Sequence, residues 1–526
     1  MCARTSHFLG FGVPVERDFL WRDMREQMPK DEPRRNSDFS NATPMPRKTR
    51  VGNSRHTGSS VGTPTNEPHK QNHTAHIPGE DIGDVLVTYI NMIESIESAV
   101  ELATKALDDY GIAKRAEAAR GFEKFLQNEH PGKQETPQFH PEDHWKTLSS
   151  LYDAGVRAGG AERLVPRSLF VSMVSEYESL LAKLLETNFR LHPEMCLLFK
   201  RPIEVQQALE FKSIEAMHSF VIAVEVDAVM RRSTAEQLQY FSETMHTFDI
   251  SKCDGVPDVY EVSLRRNLYV HSDGMVGKTY LDECRRLHAK TPEDCQLGTN
   301  LQMTPTYFFK AGDMLLLLGL EIGTSLWWNT CRKDQDKIAG FLAGSVILHL
   351  LEEDQYFVAA HLGEYFMRQF KENLRDEDRR ICVINTAQAY KWSKDEANCK
   401  RILETLDWEA SGDYLRFGVA VLQGEYKEAA NYMVKMGSHG SIDELNYHVW
   451  PLMKEFQKTK EFTSAYEEVF GRPFMESFEA ATLAIRPDGD SSGASSPPGL
   501  QTAQSSPSRA RDKTEHGGGA TRYERH

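Results

Sequence analysis

The sequence predicts an all-α protein, and three observations predict it. Apolar residues recur at three and four positions over long stretches. The ends of those stretches carry proline, glycine and serine or threonine where helices start and stop. The last third repeats a helical-hairpin phrase at near-constant spacing. At 526 residues the chain has room for two or three domains with ample core.

Residues 1–80 are rich in Pro, Asn, Ser, Thr and basic side chains and hold no sustained apolar period. Such a segment buries too little surface to offset chain entropy and is expected to be disordered. Its opening HFLGFGVPVERDFLW lacks a basic lead and is soon interrupted by charge, so no secretion signal is expected. A basic RNA-binding arm is conceivable, but a plain tail, or sequence translated ahead of the true start, is the plainer reading.

A helical N-terminal region is expected over 81–164. An amphipathic helix runs from Ile82 to Tyr110-Gly111, and AKRAEAARGFEKFLQNE follows as a second. After a Gly- and Pro-containing break, HPEDHWKTLSSLYDAGVRAGG resumes the pattern. His140 and His144 are four apart, yet Pro141 and the acidic pair after it read as a first helical turn and no third ligand is near. No metal is expected there.

A helical bundle is expected over 165–330. Its first helix, near 168–191, lines up Phe170, Met173, Val174, Tyr177, Leu180, Leu181, Leu184 and Leu185 as a core stripe. Glu176 and Glu178 lie near the stripe; one of them could orient Arg266 in the folded domain, but surface solvation is the plainer reading of either. A helix over SIEAMHSFVIAVEVDAVM should break at Arg232-Ser233-Thr234, with Glu236 or Gln237 completing a capping box. The run DMLLLLGLEIGTSLWW at 313–328 is interrupted by Glu321 and falls short of the roughly 20 residues of a membrane span, so it reads as a buried packing helix.

Between these lies EVSLRRNLYVHSDGMVGKTY, residues 261–280. Pro257 after Asp254-Gly255 suits a helix start, and Asp273-Gly274 suits its end. Asn267 and His271 then share a face as an i, i+4 pair, and Arg266 must reach in from the side. An imidazole can pass a proton near neutral pH, and a guanidinium offers forked donors to phosphate. The set suits attack of an RNA 2′-hydroxyl on its own phosphate, with Arg266 stabilising the developing charge, Asn267 orienting and His271 as general acid or base. Arg231, Arg232, Arg265, Arg266, Lys278, Arg285 and Arg286 make this the most basic part of the folded sequence, and Arg265, Lys278, Arg231 and Arg232 are the expected RNA contacts. Gly274 to Thr279 has the tail of a phosphate-binding loop, but Ser272 stands where its first glycine belongs and a helix precedes it, so no NTPase is read.

This Arg-x4-His run resembles the HEPN superfamily, as do VSMVSEYESLLAKLLETNFRLHPE at 171–194 before it and GKTYLDEC after it. The resemblance covers 165–330. It implies an all-α domain, metal-independent endoribonuclease activity in toxin–antitoxin or antiviral defence, and a homodimer in which two copies of Arg266, Asn267 and His271 face one cleft. Some members of that family keep the fold without catalysis, so a catalytically inactive adaptor is the alternative.

From 335 to 475 the segments DQYFVAA, SKDEANC, GEYKEAA and KEFTSAY place small residues at Ala360, Ala397, Ala429 and Ala465. Their spacing, near the roughly 34 residues of tetratricopeptide repeats, predicts an α-hairpin solenoid that serves protein contact, within a dimer or with a partner, or else caps the preceding domain. Residues 486–526 are low-complexity and expected to be disordered. A net charge of −15 argues against a surface that binds nucleic acid everywhere, so an RNA site must be local. DNA is not an expected partner. Eight cysteines without CxxC or zinc spacing read as reduced thiols of a cytoplasmic protein, and no cofactor is expected.

Overall fold

The apolar stripe at 168–191 becomes the most deeply packed part of a long helix, and the chain is organised from there. The computed structural model describes residues 81–129, 141–199, 202–246, 248–253, 255–293, 295–371 and 374–475. The expected tails at 1–80 and 486–526 lie outside these residues. All named elements among the described residues are helical, and the one β-type pairing is a lone bridge between Met275 and Asn300.

Two long helices open the fold, α1 from Ile82 to Glu129 and α2 from Pro141 to Leu191. At 48 and 51 residues each spans roughly 70–75 Å. They pack against each other, and all eight stripe residues of α2 are 2% exposed or less. The expectation of two helices meeting at Tyr110-Gly111 is corrected: α1 runs straight through, and Gly111 is buried inside it. The boundary expected at 164/165 is corrected too, because it falls within α2. Pro166 lies inside α2, and the helix continues across it at the cost of one intrahelical bond.

Then follow α3 (Ile214–Met230), α4 (Val256–Ser272), α5 (Lys278–Leu287) and α6 (Pro305–Thr330). After α3 the chain breaks as expected, and Ser233 forms a full capping box with Glu236. In α6 every residue from Met314 to Trp328 is buried. No described helix is long and apolar enough to cross a membrane. A helix apolar on all sides needs neighbours on all sides, and α6 packs against α1, α2 and α4.

The longer helices of the C-terminal part are α7 (Tyr356–Phe370), α8 (Asp376–Trp392), α9 (Glu396–Leu403), α10 (Asp413–Gln423), α11 (Tyr426–Met436) and α12 (Lys460–Phe470). Neighbouring helices pair as α7 with α8, α8 with α9 and α10 with α11. The expected division near 330 marks no separate core: Trp328 of α6 packs on Phe366 and Phe370 of α7, and one apolar cluster extends from Ile82 to Ala389. Three hairpin turns repeat in detail. Asp354, Lys394 and Gly424 each adopt positive φ, and the next residue's N–H returns to Leu350, Tyr390 and Ala420 carbonyls. That is the left-handed closure of a helix end. Five residues past each lies a buried small side chain, Ala359, Cys399 or Ala429. The expected Ala397 is exposed, so the register there is Cys399.

Close helix approach depends on glycine in α6. A Cβ on Gly319 would stand 2.7 Å from both Leu180 of α2 and the Tyr89 ring of α1. Gly319→Val therefore forces overpacking worth about 1–3 kcal/mol and should lower the melting temperature. Gly340→Ala, whose Cβ meets nothing within 4 Å, should melt at or above the wild type. Thermal unfolding followed by circular dichroism compares the two, and equal melting points would show that α6 does not depend on this contact.

Candidate functional site

Helix α4 positions the motif, and its limits follow from its own residues. Pro257 lies in the first turn, where a missing N–H breaks no bond. Asp273 closes the helix at φ 51°, with Gly274 following at φ 83°. Here glycine is required twice over, because a Cβ would also stand 3.0 Å from the Leu301 carbonyl oxygen. The loop is pinned: Leu301 N–H donates to the Gly274 carbonyl at 2.9 Å, and Val276 N–H donates to Thr299 at 2.8 Å. Arg167 of α2 completes the hold with an ion pair to Asp273, a 2.8 Å bond to the Tyr269 carbonyl and a seat over the Tyr269 ring. A cation is favoured at that end, where the helix carbonyls point outward.

The three expected catalytic residues occupy two environments. Arg266 faces α2, where its Nη2 pairs with Glu178; the two side chains are 23% and 27% exposed. Its Nε is buried with no partner. Glu178 is thus a partner of the motif arginine, not a solvated bystander. Asn267 and His271 are exposed on another side of the helix. Five residues of helix turn Arg266 and His271 about 140° apart, and no contact joins them within one chain. Val270 and Met275, beside His271, are exposed apolar side chains at 54% and 46%.

Arg265 is corrected outright. It is 3% exposed and its Nε donates to Glu261 Oε1 at 2.8 Å, so it cannot meet a polynucleotide. Tyr280 and Tyr307 donate to the two oxygens of the same carboxylate, at 2.6 and 2.5 Å, and the Arg265 guanidinium lies 3.9 Å from the Tyr307 ring centre. Loss of water, then the Glu261 charge, pushes both tyrosine hydroxyls far above the usual phenol range, so they remain neutral donors. The sequence signal for this core was present in the i, i+4 spacing of Glu261 and Arg265, but their burial depends on helices that are distant in sequence.

The other cations of this basic stretch, Arg231, Arg232, Lys278, Arg285 and Arg286, are exposed, and three of them are matched by a neighbouring carboxylate. Arg231 pairs with Asp227 at 2.8 Å; Arg285 and Arg286 pair with Asp282 and Glu283, each at 2.7 Å. Arg232 lies over the Tyr240 ring, and Lys278 is exposed at the first residue of α5. The positive field read from the sequence is therefore largely compensated within each helix.

A cavity of about 200 Å³ opens at the other end of α4, lined by Asp258, Glu261, Lys290, Tyr307 and Lys310 among others, and it includes none of the three motif residues. Among the described residues no group of three or more His, Cys, Asp or Glu side chains could hold a metal ion. His140 lies outside them and the side chain of His144 is not described.

Glu261→Leu should destabilise the chain by about 3–5 kcal/mol, because it leaves Arg265 buried and unpaired. Arg231→Ala, which removes an exposed pair, should cost at most about 1 kcal/mol. Denaturant melts of the two variants measure the contrast, and a mild effect of Glu261→Leu would mean that Arg265 reaches water. Comparison with known proteins finds no matching family model, no similar curated protein and no similar solved structure.

Proposed function

We propose that the chain is a metal-independent endoribonuclease of the HEPN type, a cytoplasmic toxin or defence effector. The observation that carries this reading is the placement of Arg266, Asn267 and His271 in the last two turns of one firmly held helix, with the Asn267 and His271 face open to solvent. In the reaction the RNA 2′-oxygen attacks the adjacent phosphorus, the bond to the 5′-oxygen breaks, and the 2′-proton ends on the leaving oxygen. The products are a 2′,3′-cyclic phosphate and a 5′-hydroxyl. His271 passes the proton, Asn267 orients the strand, and Arg266 neutralises charge on the phosphorane. A guanidinium has five N–H donors, and Glu178 takes up Nη2 while fixing the side chain for the rest. Because the nucleophile is part of the substrate, no metal-activated water is needed.

Arg266 and His271 diverge around α4, so one chain does not complete the set. A homodimer does: exposed Val270 and Met275 supply apolar contact beside the motif, and the partner's helix end brings a second imidazole toward the first guanidinium. A second reading is a helical adaptor with no catalysis, acting through the hairpins of α7 to α12. The pairing of Arg231, Arg266, Arg285 and Arg286 with carboxylates favours it, since a polyanion finds little free positive charge.

Incubation with single-stranded RNA in EDTA tests the proposal. Wild type should leave cyclic phosphate ends, and His271→Ala should cut at least about 100-fold more slowly with an unchanged melting temperature. Equal cutting by His271→Ala, or none by wild type on mixed-sequence RNA, would refute the nuclease and leave the adaptor.

A further inference from the structure

The ends of α2 and α6 meet at a second constellation, away from the motif. His192 directly follows α2, and Cys331 directly follows α6. Cys331 Sγ lies 3.6 Å from His192 Nε2. On the far side of the ring, His192 Nδ1 lies 3.4 Å from Glu194 Oε1. Thiol, imidazole and carboxylate thus stand in the order in which a base activates a nucleophile and a carboxylate holds the base. Thr330 Oγ1 is 3.9 Å from the sulfur, and the Asp81 to Lys337 pair and Asp334 provide the surrounding charge.

We propose that Cys331 is a site of oxidation by small hydroperoxides, with His192 as its acid–base partner. The sulfur attacks one peroxide oxygen and the O–O bond breaks. The thiol proton passes through His192 Nε2 to the departing oxygen, giving Cys331 sulfenic acid and water or an alcohol. Sulfur loses two electrons and the peroxide gains them. Glu194 steadies the imidazolium that forms in passing.

Access sets the substrate class. Cys331 is half-buried and the His192 side chain is 22% exposed, so a peroxide fits where a peptide or sugar does not. The relay is also what this thiol requires. Burial pushes Cys331 up from the ordinary thiol range, against a weaker pull from the Thr330 hydroxyl, and the carbonyl end of α6 opposes a thiolate as well. A thiol held protonated reacts only if a base takes its proton during the step. His192 is that base. The site is independent of α4 and stands whether or not the chain cuts RNA.

The test uses the full chain, dilute hydrogen peroxide, dimedone trapping and mass spectrometry of each cysteine. Cys331 should be trapped at least about tenfold faster than Cys196, which is half-buried like it. His192→Ala should remove that advantage, and Glu194→Gln should reduce it severalfold. Trapping of Cys331 no faster than Cys196, or a wild-type rate in a folded His192→Ala variant, would overturn the proposal. Should His192→Ala fail to fold, Glu194→Gln, at a side chain 69% exposed, decides by itself, and an unchanged rate there counts against the relay.

Discussion

Burial of α6 on every side is the constraint from which the rest of the architecture follows. A helix with 15 consecutive buried residues, Met314 to Trp328, must be enclosed, and the enclosing surfaces come from α1, α2, α4 and α7. Glycines 312, 319 and 323 let the neighbouring side chains reach its backbone. Of the polar groups it takes inside, Ser325 pairs with Tyr365 of α7 at 2.7 Å, whereas the Thr324 hydroxyl is buried without a partner. Helices from both halves of the chain therefore share one core, and the helix that carries the motif is placed by the same packing that seats the first hairpin of the C-terminal part.

Two adjacent arginines on α4 show how that packing assigns chemistry. Arg265 turns inward to Glu261 of its own helix, inside a shell of Tyr269, Tyr280 and Tyr307. Arg266, one residue on, turns to Glu178 of α2 at a half-exposed seam. The buried pair serves structure, since removing either member strands a charge in low dielectric. Water reaches part of the Arg266–Glu178 pair, whose side chains are 23% and 27% exposed, so exchanging that carboxylate for another anion costs less than at Arg265, although Arg266 Nε is buried without a partner. Residue type alone does not separate these roles; the surrounding helices do.

What was legible in the sequence was what local chemistry decides. The Asp273-Gly274 stop, the Ser233-Glu236 capping box, the core stripe of α2 and the buried run in α6 each depend on residues within a turn or two of each other. What escaped depends on distant partners. The helix expected near 168–191 instead begins at Pro141 and passes through Pro166, packed against α1. Ala397 fits the repeat phrase better than Cys399, yet the positive φ at Lys394 sets the register and turns Cys399 inward. Arg265 belongs to a basic cluster in the sequence and to a closed ion pair in the fold.

The charge balance then bears on how a polyanion could be held at all. The chain carries −15 overall, and Arg231, Arg266, Arg285 and Arg286 each have a carboxylate at contact distance. Binding RNA at any one of them trades one anion for another, which gains little. On the proposed function the balance would change if two copies of α4 met, because the exposed Lys278 and His271 of both chains would then be added to one site. A site of that kind would be weak in the monomer and strong in the pair, so for the proposed nuclease assembly and activity would be one event.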